Sequence, residues 1–303
     1  MQPEVRERYL EAGHIAADVR ESCKAFIKPG ISLLGLAEKI EELIRSKGAE
    51  PVFPANLSLN NIAAHYTPWQ MDETKLSESD ILKVDIGVHV DGYIGDTAFT
   101  ISFDERHDKL IAASKSALDE AIKLCKPGAL LSDISAKIEE TIKGFGFVPI
   151  RNLTGHGLGQ YDLHAEPQVP NIKFSSDYRL QEGMVIALEP FATDGAGAIK
   201  DSDDAFIFSI GRTGAARNPD ARRIIAYADR FNGMPFAERW LFSGQAKESG
   251  VPDSLVKIRL AMRELRMRGM LHEYPVLKEI GNGLISQAEH TVIVDDEPVV
   301  TTL

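Results

Sequence analysis

Two segments of the chain repeat each other at a fixed distance. Residues 28–48 and 126–146 both begin with Lys-Pro-Gly and share ten identities in twenty-one positions at an offset of 98. In the first copy this tripeptide ends a predicted helix over residues 4–27, and a second predicted helix follows over Leu36 to Lys47. In the second copy the matching segment Leu131 to Lys143 follows it. A repeat of this kind predicts a fold built from two duplicated α+β units.

The repeat extends to one acidic residue in each copy. Asp85 ends a stretch that begins at Leu76, and Glu189 ends a matching stretch that begins at Leu180. We therefore expect Asp85 and Glu189 to occupy equivalent places in the two halves. In that case Glu189 also needs a partner acid on a returning strand, and Glu289 is the candidate.

The stretch 82–96 predicts a β-hairpin, because Asp91-Gly92 favours a tight turn between two apolar strands. With that turn, Gly87 lies opposite Asp96, and Asp85 shares the face of Asp96 one diagonal step away. Two carboxylates on a buried face repel each other unless a cation lies between them, and a divalent metal is the natural candidate. For this stretch alone, an ordinary hairpin with two solvated acids is an equal alternative.

Nearly a hundred residues separate Glu189 from Glu289, which predicts an insertion in the second half. From Ala205 to His272 there are twelve Lys and Arg residues against six Asp and Glu residues, in a chain whose net charge is -11. Short helical patterns fill this segment. We predict a helical subdomain over 205–272, inserted into a main domain made of residues 1–204 and 273–303.

Composition narrows the class of protein. The 303 residues are 44% hydrophobic and 26% charged, without an apolar run long enough to cross a bilayer, so we expect a globular chain. The only cysteines are Cys23 and Cys125, and no secretory or transit pattern begins the chain, so we expect a cytoplasmic protein without a disulfide framework. The negative net charge argues against binding nucleic acid or anionic membrane over the whole surface.

Three histidines are candidate site residues. His156 lies among glycines in the segment 154–159, and His164 follows eight residues later, so both serve one site only if the chain folds back between them. Either one alone is more typical of a structural histidine. His65 lies in a polar segment, Ser58 to Pro68, whose side chains can also simply hold a loop by hydrogen bonds.

Four carboxylates and one imidazole are ligands typical of divalent manganese, iron, cobalt or zinc. Two such ions about 3.5–4 Å apart can bridge one water and lower its pKa, which gives a hydroxide nucleophile near neutral pH. Motifs for a serine nucleophile, a phosphate loop or a dinucleotide site are absent from the sequence. The residues therefore predict metal-assisted hydrolysis.

Several motifs resemble those of the type 2 methionine aminopeptidases: Phe53-Pro54, Ser58 to Pro68, Gly155 to Tyr161, Tyr274-Pro275 and Glu289-His290-Thr291. The resemblance covers essentially the whole chain and fits the short, archaeal type. It implies the α+β pita-bread (creatinase/aminopeptidase) fold, with pseudo-twofold duplicated halves and an inserted helical, winged-helix-like subdomain.

The resemblance also implies a role for individual residues. The metal ligands would be Asp85, Asp96, His156, Glu189 and Glu289. Glu189 would be the general base, His164 would donate to the developing oxyanion, and His65 would contact the scissile amide or the free amine of the substrate. The pocket for the methionine side chain would be lined by Phe53, Phe191 and Tyr274.

The activity that the resemblance implies is removal of the N-terminal methionine from nascent proteins and peptides with a small second residue. The cofactors would be two divalent metal ions, of cobalt, manganese, iron or zinc. The partner would be the N-terminal methionine of the nascent chain. A transient contact between the basic insertion and the ribosome stays open, no membrane partner is expected, and the chain is expected to be a monomer.

Two other functions are compatible with the same ligands or the same fold. A proline-directed peptidase such as prolidase or aminopeptidase P would share the ligands, but such enzymes normally carry a large additional N-terminal domain. A non-enzymatic relative would keep the fold for ribosomal or RNA contacts, but such proteins typically lose ligands, and all five are present here.

Overall fold

Helices and strands follow one another in two similar runs along the chain. The computed structural model describes residues 1–211, 214 and 216–303. Within these residues the α-helices are α1 (Pro3–Lys24), α2 (Leu33–Ser46), α3 (Asp108–Ile122), α4 (Leu131–Gly144), α5 (Pro219–Ala228), α6 (Gly244–Glu248) and α7 (Leu255–Met267). No helix in this part of the chain is long and apolar enough to pass through a membrane.

The strands begin early and continue to the C-terminus. They are β1 (Glu50–Pro51), β2 (Asn56–Leu59), β3 (Ile62–Ala64), β4 (Ile81–Val90), β5 (Tyr93–Ser102), β6 (Val148–Pro149), β7 (Thr154–Gly159), β8 (Asp162–Pro170), β9 (Val185–Leu188), β10 (Phe191–Thr193), β11 (Ile199–Ile210), β12 (Phe236–Ala237), β13 (Leu271–Glu279), β14 (Ile285–Gln287), β15 (Glu289–Ile293) and β16 (Val299–Val300).

Nine strands form the main sheet, which joins the two halves. Its order is β1-β4-β5-β15-β9-β7-β8, with β2 paired to β4 and β16 paired to β15. The first-half strand β5 and the second-half strand β15 are antiparallel neighbours, with Ala98 opposite Glu289. The other sheets have the orders β14-β10-β6 and β12-β11-β13-β3. The halves therefore meet where β5 contacts β15.

Each half buries an amphipathic pair of helices against the sheet. Ile40 of α2 belongs to an apolar cluster with Val84 of β4, and Ile138 of α4 belongs to a separate cluster with Ile186 of β9. Burial of these apolar faces away from water is the main force that holds the helices on the sheet. The duplication predicted from the repeat is thus present in the packing.

The repeated Lys-Pro-Gly segments make the same backbone connections in both halves. Gly30 and Gly128 adopt positive φ angles of 86° and 83°, which explains the glycine at this point of both copies. Matching hydrogen bonds join Gly30 N to Leu76 O at 2.7 Å and Gly128 N to Leu180 O at 2.8 Å. Matching bridges pair Ser32 with Lys75 and Leu130 with Arg179.

Helices α5, α6 and α7 lie between β11 and β13 in the chain and share an apolar cluster of their own. This group is fastened to the first half by Arg239 and Trp240, which both bond to Glu41 of α2; the Trp240 Nε1 to Glu41 Oε2 distance is 2.7 Å. The limits predicted for the subdomain, 205 and 272, lie within strands β11 and β13. The division into a main domain and a subdomain stays a prediction. Residues 212, 213 and 215 of this segment lie outside the described part.

Candidate metal centre

The β4–β5 hairpin brings two acids to one face of the main sheet. Val90 pairs with Tyr93 across the turn, and Gly87 pairs with Asp96, which confirms the register predicted from the sequence. Asp91 and Gly92 both have positive φ, at 51° and 85°, as the tight hairpin turn requires. Asp85 therefore lies on the face of Asp96, and both side chains border the same cavity.

Three more donors reach this cavity from the second half. His156 lies on β7, Glu189 follows β9, and Glu289 begins β15; in the main sheet β9 lies between β7 and β15. One ligand atom from each of Asp96, His156 and Glu289 lies within 4.8 Å of the other two. The His156 Nε2 atom lies 3.9 Å from Glu189 Oε1. The structure thus places all five residues predicted as ligands around one cavity.

The four carboxyl groups are buried together, which strongly favours their protonated forms when no cation is near. Burial raises the pKa of Asp85 to about 7. Burial and the neighbouring Asp85 raise the pKa of Asp96 well above its usual value. Burial, followed by the charges of the other acids, does the same to the pKa of Glu189 and of Glu289. No Lys or Arg residue is among the described residues that line the cavity.

A divalent cation fits this set of donors. Asp85 Oδ1 and Asp96 Oδ1 are buried and have no hydrogen-bond partner among the described residues. Burial and the nearby His164 lower the pKa of His156 to about 3, so its imidazole is neutral, which is the form that binds metals. His156 Nδ1 lies 3.2 Å from the Gly157 carbonyl oxygen; an N–H donated there leaves Nε2 to face the acids.

The other two predicted histidines border the same cavity. Strands β7 and β8 form a hairpin, with Gly159 opposite Asp162, so the chain folds back as the sequence required and the His164 ring lies 4.8 Å from that of His156, centroid to centroid. His65 has a positive φ of 65°, which is unusual for a residue other than glycine and is typical of constrained functional positions. Its Nδ1 lies 3.1 Å from the Pro275 carbonyl oxygen.

An apolar wall borders the acids. The cavity has a volume of about 300 Å³, and the predicted pocket residues Phe53, Phe191 and Tyr274 all line it. Phe53 packs closely on Gly87, where a Cβ atom would lie only 2.4 Å from the phenyl ring. An apolar side chain can therefore be held beside the candidate metal centre. The roles of these residues stay predictions.

Sequence reasoning missed several residues of the site, and four of them illustrate why. Gln287 places Nε2 3.4 Å from both Asp85 Oδ2 and Glu289 Oε2, so it links acids of the two halves. Asn56, Ile207 and Pro235 line the cavity. The sequence could have indicated Gln287, because it lies two residues before Glu289 and side chains two apart on a strand share a face.

Comparison with known proteins gives a consistent result. The model of the metallopeptidase family M24 matches residues 7–217. A methionine aminopeptidase of Thermococcus onnurineus is 47% identical over 294 residues, which cover 96% of this chain and 97% of the relative.

Solved structures share the fold. A methionine aminopeptidase from Thermotoga maritima superposes with a TM-score of 0.72 at 22% identity and covers 100% of this chain and 98% of that one. A thermophilic Arx1 superposes with a TM-score of 0.85 at 18% identity and covers 99% of this chain and 91% of that one. These likenesses confirm the predicted pita-bread fold.

Proposed function

We infer that this chain, which belongs to metallopeptidase family M24, is a metalloaminopeptidase that removes the N-terminal methionine from peptides. Near-complete coverage by a methionine aminopeptidase of 47% identity supports this activity. The observation that carries it is the convergence of buried acids and an imidazole from both halves on one cavity that also has an apolar wall. This arrangement combines a hydrolytic centre with a place for an apolar side chain.

Asp85, Asp96, His156, Glu189 and Glu289 would hold two divalent ions. When bound, such ions act as Lewis acids and lower the pKa of water, which suits hydrolysis near neutral pH. The crowded acids favour this function because each would gain a positive neighbour in place of a negative one. Cobalt, manganese, iron and zinc all suit this set of oxygen and nitrogen donors.

Glu189 would move a proton in this reaction. Its carboxylate would take a proton from the attacking water and return it to the departing amine, the work of a general base that becomes a general acid. His164, at the rim of the same cavity, would donate a hydrogen bond to the oxygen of the scissile carbonyl as negative charge develops there. The side chains of Glu189 and His164 line the same cavity.

His65 would orient the substrate. With its Nδ1–H donated to the Pro275 carbonyl, its Nε2 carries a lone pair that can accept the N–H of the scissile amide. Burial lowers the pKa of His65 to about 4, so the ring stays neutral and keeps this lone pair at neutral pH. The side chain of methionine would lie against Phe53, Phe191 and Tyr274, where sulfur–aromatic contacts favour a thioether.

The setting of the enzyme is part of the proposal. Both cysteines are buried and unpaired, which fits the reducing cytoplasm. The exposed side of α7 carries Lys257 and Arg263 beside the exposed apolar residues Leu260 and Met267, which would suit a transient contact with the ribosome. We expect a monomer.

A panel of peptides tests the activity. Protein loaded with manganese or cobalt should release methionine from Met-Gly and Met-Ala peptides, and release should fall steeply as the second residue grows. Peptides with proline second and a first residue other than methionine should be poor substrates. General cleavage before proline without release of methionine would instead identify a proline-directed peptidase of the same fold.

A further inference from the structure

Asn56 lines the cavity but has no role in the function proposed above. Asn56 lies on β2, is 3% exposed, and pairs with Asp85 across the β2–β4 ladder. Directly paired side chains of neighbouring strands lie on the same face, about 4.5–5.5 Å apart at Cβ. Asn56 therefore lies beside an acid of the candidate metal centre.

The orientation of the Asn56 amide is set by its neighbour. Its Nδ2 donates a hydrogen bond to the Pro54 carbonyl oxygen at 3.0 Å, and the reversed amide would set two oxygens against each other. The oxygen Oδ1 is consequently the free end. It is buried and has no partner among the described residues, although a buried acceptor normally has one.

The other amide and hydroxyl side chains of the cavity have hydrogen-bond partners within the protein. Asn152 uses both ends of its amide on the backbone of β11, at 2.8 and 2.9 Å. Thr154 and Gln168 bond to each other at 3.4 Å, and the Tyr274 hydroxyl lies 3.3 Å from a serine hydroxyl. Among the amide oxygens that line the cavity, only that of Asn56 has no hydrogen-bond partner in the described part of the chain.

A ligand for this acceptor must be a hydrogen-bond donor, and an aminopeptidase substrate supplies one that other peptides lack. The free α-amino group has two or three N–H bonds, each of which needs an acceptor when the group is buried. The carboxylates are the groups that ions would occupy, so a neutral oxygen next to them is the acceptor that remains available to the amine.

We propose that Asn56 Oδ1 accepts a hydrogen bond from the α-amino group of the substrate's N-terminal methionine. Asn56 then selects chains with a free N-terminus, and Phe53, three residues before it, contacts the side chain of the same methionine. This inference rests on the proposed function, because the ligand is defined by the aminopeptidase reaction.

The test compares two ligands that differ only in the amine. Binding of L-methionine and of its des-amino analogue, γ-methylthiobutyrate, is measured by calorimetry on manganese-loaded protein. The wild type should prefer L-methionine. Asn56→Leu should reduce that preference about 10-fold, as expected for a lost hydrogen bond to a charged group, and Asn56→Asp, which keeps an acceptor oxygen, should retain it.

Asn171 provides a matched control. It is 1% exposed, its Nδ2 donates to the Leu153 carbonyl at 3.0 Å, and its Oδ1 also has no partner in the described part, but it does not line the cavity. Asn171→Leu should lower thermal stability to a similar extent and leave the ligand preference unchanged.

The outcomes separate this inference from the function on which it rests. If Asn56→Leu weakens both ligands equally, or neither, while the wild type still releases methionine from Met-Ala peptides, Asn56 does not bind the amine and the function stands. If the wild type releases no methionine, the function and this inference both fail.

Discussion

The two halves of the molecule share a backbone plan but differ in the side chains that they place on it. Strand β4 pairs with β5 so that Gly87 faces Asp96 and Asp85 faces Ala98. In the second half Leu188 pairs with His290 and Phe191 with Gln287, a single register that puts Glu189 opposite Glu289. Since Asp85 corresponds to Glu189, the second-half equivalents of Asp96 and Ala98 are Gln287 and Glu289. The first half therefore has Asp96 and Ala98 where the second half has Gln287 and Glu289.

The neighbouring strands show a second difference. Ser58 pairs with Lys83 in the first half, and His156 pairs with Ala187 at the same register in the second. The first half thus has the Ser58 hydroxyl, which has no partner in the described residues, at the position where the second half has the His156 imidazole. The two halves thus share a frame, and differences at single positions on one face of the strands give the proposed centre two donors from the first half and three from the second.

The largest expected effect tests whether Asp85 and Glu189, which are equivalent in the two halves, have the same role. Glu189→Gln should lower kcat for methionine release by about 10²–10⁴-fold even with manganese in excess, because it removes the proton carrier. Asp85→Asn should lose activity mainly through lost metal and regain much of it as manganese is raised. Metal content and turnover are measured together, with the exposed Glu297→Gln as a control. Equal recovery of both variants would contradict the proposed difference.

A second prediction separates the histidines of the two halves. His65→Ala should keep its metal content and lose about 100-fold in kcat, the effect of a misplaced substrate, whereas His156→Ala should lose metal. Metal analysis and methionine release distinguish the two, and His14→Ala at an exposed position controls for the loss of an imidazole. Loss of metal from the His65 variant would mean that the two histidines have the same role after all.

Gln287 allows a smaller and more specific test, since it stands at the position equivalent to Asp96. Gln287→Leu should weaken manganese binding by about 10–100-fold, because its amide orients one acid from each half. Calorimetric titration with manganese measures this, with the exposed Gln245→Leu as the control. An unchanged affinity would show that the amide only fills space between the strands.

The sequence predicted the features that depend on local pattern. The β4–β5 register followed from Asp91-Gly92, and the helix predicted over Leu36 to Lys47 is α2, which spans Leu33–Ser46. Glu189 was paired with Asp85 through the repeat. These inferences needed only neighbours in the chain or a comparison of the chain with itself.

What the sequence could not predict depends on contacts between distant segments. Asn56 reaches the cavity because β2 pairs with β4, and Pro235 reaches it from the middle of the insertion. Lys83, with its side chain fully buried and Nζ 2.8 Å from the Asn60 carbonyl oxygen, contradicts the usual expectation that a lysine points to water. No local pattern distinguishes such residues from ordinary strand positions.

The smallest predicted effect concerns the stability of metal-free protein. A carboxyl group whose pKa is raised by folding, as for Asp85 from 3.8 to about 7, binds more protons folded than unfolded, so its contribution to stability is lost as the pH rises through the folded pKa. The histidines with lowered pKa values titrate below about pH 6.5 in both states. Above that pH the raised acids act against Lys83, whose pKa is lowered by burial and whose effect has the opposite sign.

Because the raised acids outnumber Lys83, chelated protein should melt a few degrees lower at about pH 8.5 than at about pH 7. Asp96→Asn makes the first half match Gln287 of the second and removes one of the raised acids, so its melting temperature should fall less over the same interval. Thermal denaturation with a chelator measures both slopes. Saturating manganese should raise both melting temperatures by binding the folded state, with a larger gain for the wild type. Identical slopes for the two proteins would mean that Asp96 does not share the crowding of the other acids, and that the asymmetry between the halves has no electrostatic cost.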